Sequence, residues 1–362
     1  MDPEEADYFL VPIWVSSAMW QMNWGFRDLL ATGTRTVDEC AAYLQATWPY
    51  FDRHGGKDHL WVFGHDQGAW RIRAKVPAIR TGVFLSPFGA GPAQRGGHLT
   101  GHDIVVPPVL YQSVALGLLN HAGRRKKPVR NLAFFQGKLN LHIPYEYSFG
   151  IRQALFKAHR TTPRIVIKEG HEANREDYFE NMCGSKFCVV ASGFGFSTRA
   201  LEAATAGCVP LLMQDGVEQF FADILPWERF SLRMNNSLGA IGSLPQTLAA
   251  VPEGTVRALR STLYCAWPRL LWLDAASTST PLPDAERLLK YDAFEMIMWT
   301  LRKRLRGDVG SSPPDWDEGC AEVRRYFKHK PRRMRGRPWK PWQNYDFDQS
   351  VGVRDAESAL SR

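Results

Sequence analysis

The amino-acid sequence predicts an α/β protein with two halves, each built around a parallel sheet. Short apolar runs rich in β-branched and aromatic residues alternate with segments of helical spacing, the order typical of βαβ units. A polar, basic segment that contains proline separates two such series, and the length of 362 residues fits two ordinary domains. We therefore expect an N-terminal domain over residues 1–119, a linker over 120–130 and a second domain over 131–283.

Three strands and one helix are predicted in the N-terminal half. The apolar runs at Tyr8–Ser16, Leu60–Phe63 and Ile104–Val106 are typical of buried strands. Val37–Thr47 has helical spacing, and the glycine-rich sequence DRHGGKDH breaks the chain after it. A histidine and an aspartate follow the second strand closely, at its expected carboxyl end.

The second half repeats this alternation. A strand, a glycine turn, a helix and another strand follow one another between residues 187 and 213, which indicates a βαβ-like unit. The predicted strands are Asn131–Gln136, Arg164–Lys168, Phe187–Ala191 and Cys208–Met213, and the main predicted helices are Phe149–His159 and Thr198–Ala206.

The C-terminal part has a helix and a basic tail. Residues 284–306 keep one apolar stripe, and Asp284 can cap them, whereas 307–362 are irregular. Residues 324–340 contain nine Lys or Arg and no acidic residue. The whole chain has a formal net charge of +8, so the chain without this segment has a net charge of −1. Nucleic-acid binding would rest on this segment alone, because no RNP, zinc-finger or helix-turn-helix pattern accompanies it. A solvated terminus is the simpler interpretation.

The cysteines and apolar runs exclude several classes of protein. The six cysteines are scattered, with no CxxC or Cys/His zinc spacing. Cys188 and Cys208 lie in apolar runs, which favours buried free thiols. The sequence contains no run of about 18 apolar residues, so no membrane-spanning helix is predicted. The acidic start MDPEEAD differs from a signal peptide, whose first region is positively charged.

The turn SGFGFS at 192–197 carries the clearest chemical signal. Gly193 and Gly195 allow backbone to approach a ligand closely. The helix expected to begin near Ser197 or Thr198 points its first amides at the space above the turn, which favours an anion such as a phosphate.

Two charged side chains follow on that helix. Arg199 lies in the first turn, where a cation opposes the helix dipole and an external anion would compensate it. Glu202 is three residues further, on the same face. This pair suits a nucleotide, with arginine on phosphate and glutamate on ribose hydroxyls. An Arg–Glu surface pair beside an ordinary turn is the alternative. The turn matches neither GxGxxG nor the P-loop.

SKFCVVASGFGFSTRALEAATAGCVPLLMQD, residues 185–215, resembles the signature region of the exostosin-like glycosyltransferases, glycosyltransferase family 47. Blocks at 2–12, 55–69, 103–110 and 134–140 are similar to the same family and come in the family's order. The resemblance implies a GT-B fold, in which two Rossmann-like domains face each other across a cleft. It also implies transfer of a sugar from a UDP-sugar to a glycan or polysaccharide, with inversion.

The resemblance places the donor on the second domain. Arg199 would meet the diphosphate and Glu202 the ribose, beside Ser197 at the helix start. Gly137 and Lys138 would lie at the cleft, although Lys138 has an alternative as a solvated turn lysine. Gly193 and Gly195 would let the donor approach.

The resemblance also gives a candidate base, His65 or Asp66, that would take the proton of the acceptor hydroxyl. The alternative is structural, with Asp66 as a cap and His65 packed.

Further expectations concern cofactors, partners and location. No metal ion is expected, because fixed cations and helix ends would neutralise the departing UDP. The expected partners are a nucleotide sugar, a glycan acceptor and another glycosyltransferase in a homo- or hetero-oligomer, without nucleic acid. The family implies the Golgi membrane or lumen, although the sequence as written is expected to lack the usual anchor and stem. A catalytically inactive carbohydrate- or nucleotide-binding relative is the alternative function.

Overall fold

A computed structural model describes residues 2–13, 26–65, 68–94, 96–123, 129–143, 147–170, 175–273, 288–307, 316 and 319–321. It is a mixed α/β structure with parallel sheets, as the sequence predicts. In the described part of the chain, no helix is long and apolar enough to cross a membrane. Asp284, the tail beyond 321 and its basic segment 324–340 lie outside the described residues.

The N-terminal half holds a four-stranded parallel sheet. Its strands are β1 Phe9–Val11, β2 His59–Val62, β3 Val83–Ser86 and β5 Ile104–Val105, while β4 Gly89–Ala90 lies outside this sheet. The order β1-β2-β3-β5 follows the chain, with Leu60 opposite Val83 and Leu85 opposite Ile104. The helices of this half are α1 Phe26–Thr47, α2 Tyr50–Arg53 and α3 Gly68–Lys75. The next helix along the chain, α4 Gln112–Gly123, packs its Val114 and Leu118 in the core of the second half.

Apolar side chains from α1 and α3 pack against this sheet. Val37 and Ala41 lie four residues apart on α1, so both face the sheet, where they join the fully buried Trp61 and Phe84 and Ile72 of α3 in one core cluster. The predicted helical spacing at Val37–Thr47 lies inside α1, which begins eleven residues earlier, at Phe26. The strands predicted at Leu60–Phe63 and Ile104–Val106 are confirmed within the usual uncertainty of element ends, and the first predicted strand is confirmed at Phe9–Val11, with residues 14–16 outside the described part.

The second half holds a five-stranded parallel sheet of order β11-β9-β8-β6-β7. Its strands are β6 Asn131–Gly137, β7 Ile165–Glu169, β8 Ser185–Val190, β9 Val209–Leu212 and β11 Leu232–Arg233, with β10 Val217–Glu218 outside it. The helices are α5 Ile151–His159, α6 Arg175–Cys183, α7 Arg199–Ala206, α8 Leu238–Gly242, α9 Leu244–Ala249, α10 Glu253–Arg269 and α11 Ala293–Arg306.

The strand order of this sheet creates a crevice. The chain starts at β6, places β7 on one side, and then places β8 on the other side of β6. The connections that leave β6 and β8 therefore diverge, and ligands of open α/β sheets bind at the carboxyl ends of strands where the order reverses in this way. The glycine turns singled out in the sequence follow these two strands.

The two halves are joined within one compact unit, residues 1–325. β4 pairs with β10 in a short antiparallel ribbon, and the amide of Phe221 donates to the carbonyl of Val105 at 2.8 Å. From α11, Arg304 donates to the carbonyl of Asp103 at 2.8 Å and to the carboxylate of Asp223 at 2.7 Å. α11 thus holds both halves by one guanidinium group.

α11 begins later than the sequence predicts. Asp292, not Asp284, caps it, because the Asp292 carboxylate accepts from the amide of Glu295 at 3.1 Å. A short 3-10 turn, Leu289–Tyr291, precedes this cap, and residues 284–287 lie outside the described part. The predicted apolar stripe is confirmed only in part, because Ile297 and Leu301 are buried but Phe294 is 55 % exposed. The later aspartate sets the start of the helix.

Cys188 and Cys208 form a disulfide, so the expectation of free thiols was wrong. β8 and β9 are neighbouring parallel strands with Phe187 opposite Val209, which brings the two Cα atoms to 5.8 Å. An apolar run indicates burial, but strand adjacency decides whether two thiols meet. Cys265 and Cys320 form a second disulfide.

We predict that replacing Cys188 and Cys208 together by Ala lowers the free energy of unfolding by about 3 kcal/mol, since the disulfide closes a loop of roughly 20 residues in the unfolded chain. Urea unfolding monitored by circular dichroism measures this change. Cys40→Ala, at a half-buried free thiol, is the control and should leave the disulfide contribution intact. Equal free energies of unfolding for the double variant and the control would show that the disulfide does not stabilise the fold.

Candidate functional site

The turn after β8 leads directly into α7. Thr198 is the N-cap, and the amide of Arg199 donates to the hydroxyl of Ser197 at 3.3 Å. The helix therefore begins within a residue of the predicted position. Gly193, Gly195 and Ser197 are buried in this turn, whereas Phe194 between the two glycines is 49 % exposed.

Arg199 bridges the carboxyl ends of β6 and β8. Its Nε donates to the carbonyl of Gln136 at 2.9 Å, and its Nη1 donates to Oε2 of Glu202 at 2.6 Å. The guanidinium also lies 5.2 Å from the ring centroid of Tyr178. These contacts fix the position of the guanidinium group.

Glu202 is the centre of a buried network. Its Oε1 accepts from the hydroxyl of Thr198 at 2.7 Å, and its Oε2 accepts from Tyr178 and from Arg199. The side chain is only 7 % exposed. The Arg–Glu pair is therefore not the surface pair considered above, since it belongs to a packed network that holds Arg199 in place. The ribose contact of Glu202 stays a prediction.

Gly137 and Gly193 lie in close contact with the arginines of this region. A Cβ on Gly137 would lie 3.3 Å from Nη2 of Arg199 and 3.8 Å from Nη1 of Arg152. A Cβ on Gly193 would lie 3.3 Å from the hydroxyl of Tyr147 and 3.7 Å from Nη2 of Arg152. Side chains at either position would crowd the cations, which explains the glycines at this point. Lys138 is exposed beside them.

Arg152 is a site residue that the sequence reasoning missed. It lies in the first turn of α5 and is only 7 % exposed. Burial, together with the like charge of Arg199, lowers its pKa to about 10, although Tyr147 acts in the opposite direction. The signal was present, because a cation in the first turn of a helix opposes the dipole, the argument that singled out Arg199.

A small recess beside this turn is lined by residues of both halves. Pro87 and Phe88 line it from the first half, and Ser197 and Gln214 from the second. Gln214 donates to the hydroxyl of Ser192 at 2.8 Å, which adds a polar wall. The recess is also lined by Phe196 and Val217–Phe220.

One carboxylate of this recess faces a histidine across the two halves. His98 Nε2 lies 3.0 Å from Oε2 of Glu218. Burial by itself would raise the pKa of Glu218. The hydrogen bonds from His98 and Thr100, together with the charge of His98, outweigh burial and lower this pKa below its usual value. Glu218 therefore stays ionised at neutral pH.

The acceptor-side candidates are placed less completely. His65 is half-buried beyond β2, two residues after Phe63, whose amide donates to the carbonyl of Leu85 at 2.9 Å. Asp66 lies outside the described residues. Their roles stay predictions. Among the residues that the structure describes, no three His, Cys, Asp or Glu side chains converge to hold a metal ion.

Comparison with known proteins gives a family match. The model of the exostosin GT47 domain matches residues 1–247. The chain is 28 % identical over 280 residues to a probable glucuronoxylan glucuronosyltransferase of Arabidopsis thaliana, covering 73 % of this chain and 57 % of that protein. It is 27 % identical over 337 residues to the probable glucuronosyltransferase Os01g0926400 of Oryza sativa subsp. japonica, covering 88 % and 74 %.

A third relative is named for a different activity. The probable beta-1,4-xylosyltransferase IRX10L of Arabidopsis thaliana is 28 % identical over 238 residues, covering 63 % of this chain and 55 % of the relative. The chain thus spans a little over half of the two Arabidopsis relatives, and about three quarters of the rice one.

We predict that Glu202→Gln lowers the free energy of unfolding by about 2 kcal/mol, because it removes the carboxylate that pairs with Arg199 in a largely buried network. The matched control is Glu39→Gln, which removes the exposed pair with Arg35 and should cost less than about 0.5 kcal/mol. Chemical denaturation compares the two variants. A Glu202→Gln effect no larger than that of the control would show that the network does not hold the site.

Proposed function

Since the chain belongs to the exostosin GT47 domain family, we propose that it is a glycosyltransferase that transfers a sugar from a nucleoside-diphosphate sugar to a polysaccharide acceptor. The observation that carries this proposal is the basic, glycine-lined crevice after β6 and β8. Arg199 and the amides at the start of α7 converge there, where the strand order reverses. A diphosphate supplies the negative charge that such a crevice favours.

The proposed architecture is GT-B. Two parallel sheets follow one another along the chain, and residues of both halves line a common recess, which supports an arrangement of two Rossmann-like domains. In this arrangement the second domain binds the donor, and the first domain presents the acceptor. The C-terminal helix α11 returns to the first half through Arg304.

The proposed donor is a UDP-sugar, with UDP-glucuronate and UDP-xylose as the first candidates. The support for these donors is that the relatives are named as probable glucuronosyl- and xylosyltransferases. The proposed acceptor is a cell-wall or extracellular polysaccharide of the glucuronoxylan type. We further propose that the protein works in the Golgi and associates with another glycosyltransferase.

The proposed reaction is a direct displacement with inversion. A base takes the proton of the acceptor hydroxyl while that oxygen attacks the anomeric carbon, and UDP leaves with the electrons of the broken bond. His65 or Asp66 would act as the base. Arg199, with Lys138 exposed at the same edge, would stabilise the charge that develops on the diphosphate, so that no metal ion is required.

The experiment that tests the donor site is a panel of UDP-sugars with a xylan acceptor, assayed by UDP release. We expect Arg199→Gln, which keeps hydrogen bonding opposite Glu202 but removes the charge, to lower turnover by about 100-fold or more. The control is Arg257→Ala, at an exposed arginine on α10, which should behave as the parent protein. Turnover of Arg199→Gln within about threefold of the parent would refute the donor site. The assay should continue in EDTA.

The acceptor base is tested separately. We expect either Asp66→Asn or His65→Gln to lower kcat by about 100-fold while the affinity for UDP is unchanged, because a base acts on the acceptor and not on the nucleotide. His54→Gln, at an exposed histidine, serves as the control. Full activity in both variants would show that the base lies elsewhere. UDP binding by a protein with no turnover on any donor would indicate an inactive relative.

A further inference from the structure

The segment Tyr147–Arg152, before and at the start of α5, has an unusual backbone. Three consecutive residues adopt the left-handed region, with φ of 58° at Ser148, 51° at Phe149 and 77° at Gly150. Two of these are not glycine, and the left-handed conformation is unfavourable for such residues because Cβ approaches the following carbonyl oxygen. Strain of this kind persists where the surrounding structure enforces it, and it concentrates at ligand sites.

This segment is fastened to the glycine turn after β8. The amide of Ser148 donates to the carbonyl of Gly193 at 2.9 Å, and Nη2 of Arg152 donates to the carbonyl of Ala191 at 2.8 Å. The ring of Tyr147 meets Phe194 edge-on, with centroids 4.9 Å apart. The strained segment is therefore the second wall of the crevice that Arg199 borders.

Arg152 brings a buried charge that its own bonds do not neutralise. Nη1 donates to the hydroxyl of Tyr147 at 2.7 Å and to the carbonyl of Lys138 at 3.1 Å, and Nη2 to a carbonyl. In the described part of the chain, none of these bonds reaches a carboxylate. A buried charge is costly unless an opposite charge accompanies it. The nearby Arg199 has the same sign and adds to that cost.

Orphaned polar atoms lie on the same segment and on β6. Ser148 is fully buried, and its hydroxyl has no hydrogen-bond partner among the described residues. Nε of Arg152 and Oε1 of Gln136 are likewise buried without partners there. Buried polar groups are normally satisfied, so several unsatisfied groups around one crevice indicate that a polar ligand completes them.

We propose that Arg152, held by the strained segment 147–150, is a second anion-binding residue that shares a nucleoside diphosphate with Arg199. The inference rests on the proposed function and deepens it, because it assigns the diphosphate two cations from opposite walls. Gly137 lies against both cations, where any side chain would crowd them. The charge of Arg152 adds to that of Arg199 in favouring a diphosphate over an uncharged nucleoside.

The test compares the affinities of the full chain for UDP and uridine by titration calorimetry. We expect Arg152→Gln and Arg152→Met to lower the affinity for UDP by about 10- to 100-fold and to leave that for uridine unchanged. Arg152→Lys should retain most of the UDP affinity, because the charge remains. Arg160→Gln, at an exposed arginine that follows the same helix, is the control.

A purely structural role of Arg152 would give a different pattern. If Arg152 only held the loops together through its hydrogen bonds to the carbonyls of Lys138 and Ala191, its loss would lower the affinities for UDP and uridine together. It would also lower the Tm of the free protein. That result would overturn the proposal. An unchanged ratio of UDP to uridine affinity in Arg152→Gln and Arg152→Met would also overturn it.

Ser148→Ala keeps the test decisive if the arginine variants do not fold, since it only removes an unsatisfied buried hydroxyl. We expect it to lower the affinity for UDP several-fold and to leave uridine unaffected, and an unchanged UDP affinity would count against the proposal. Failure of the parent protein to bind UDP would refute the proposed function itself. Binding that depends on Arg199 but not on Arg152 or Ser148 would refute only this inference.

Discussion

Two guanidinium groups of like charge lie at the carboxyl ends of β6 and β8, and the organisation of the second half depends on how that charge is held. Arg199 is compensated by Glu202, which Thr198 and Tyr178 orient. The hydrogen bonds of Arg152 go to neutral oxygens. The contrast is physical: one cation is fixed by a buried acid, and the other keeps its charge for the ligand proposed above.

The sheet supplies the geometry that makes this concentration of charge useful. Because β7 and β8 lie on opposite sides of β6, the segments that leave β6 and β8 diverge and open a crevice. The Cys188–Cys208 disulfide joins β8 to the residue before β9, so it holds the two ends of the βαβ unit that carries the turn. Stability and ligand geometry therefore share the same neighbouring strands.

The N-terminal half is held to this crevice by contacts between the halves. Three sets of contacts join this half to segments that follow the glycine turn. They are the β4–β10 ribbon, the pair of His98 and Glu218, and the hydrogen bonds of Arg304. An apolar cluster of Phe88 and Ala90 from the first half and Val217 from the second, with Phe196 packed against it, lies beside these directional bonds. The junction between the halves therefore combines apolar packing with hydrogen bonds.

Features that depend on neighbours along the chain can be predicted from the amino-acid sequence: the alternation of strands and helices, the glycine turn, the start of α7 and the spacing of Arg199 and Glu202 three residues apart. Features that depend on strand order and register become visible in the folded chain alone. Arg199 reaches Gln136 across 63 residues and Arg152 reaches Ala191 across 39, and the Cys188–Cys208 bond needs β8 beside β9. Local spacing fixes which face of an element a side chain occupies, but the partners on that face come from distant segments that only the folded sheet brings together.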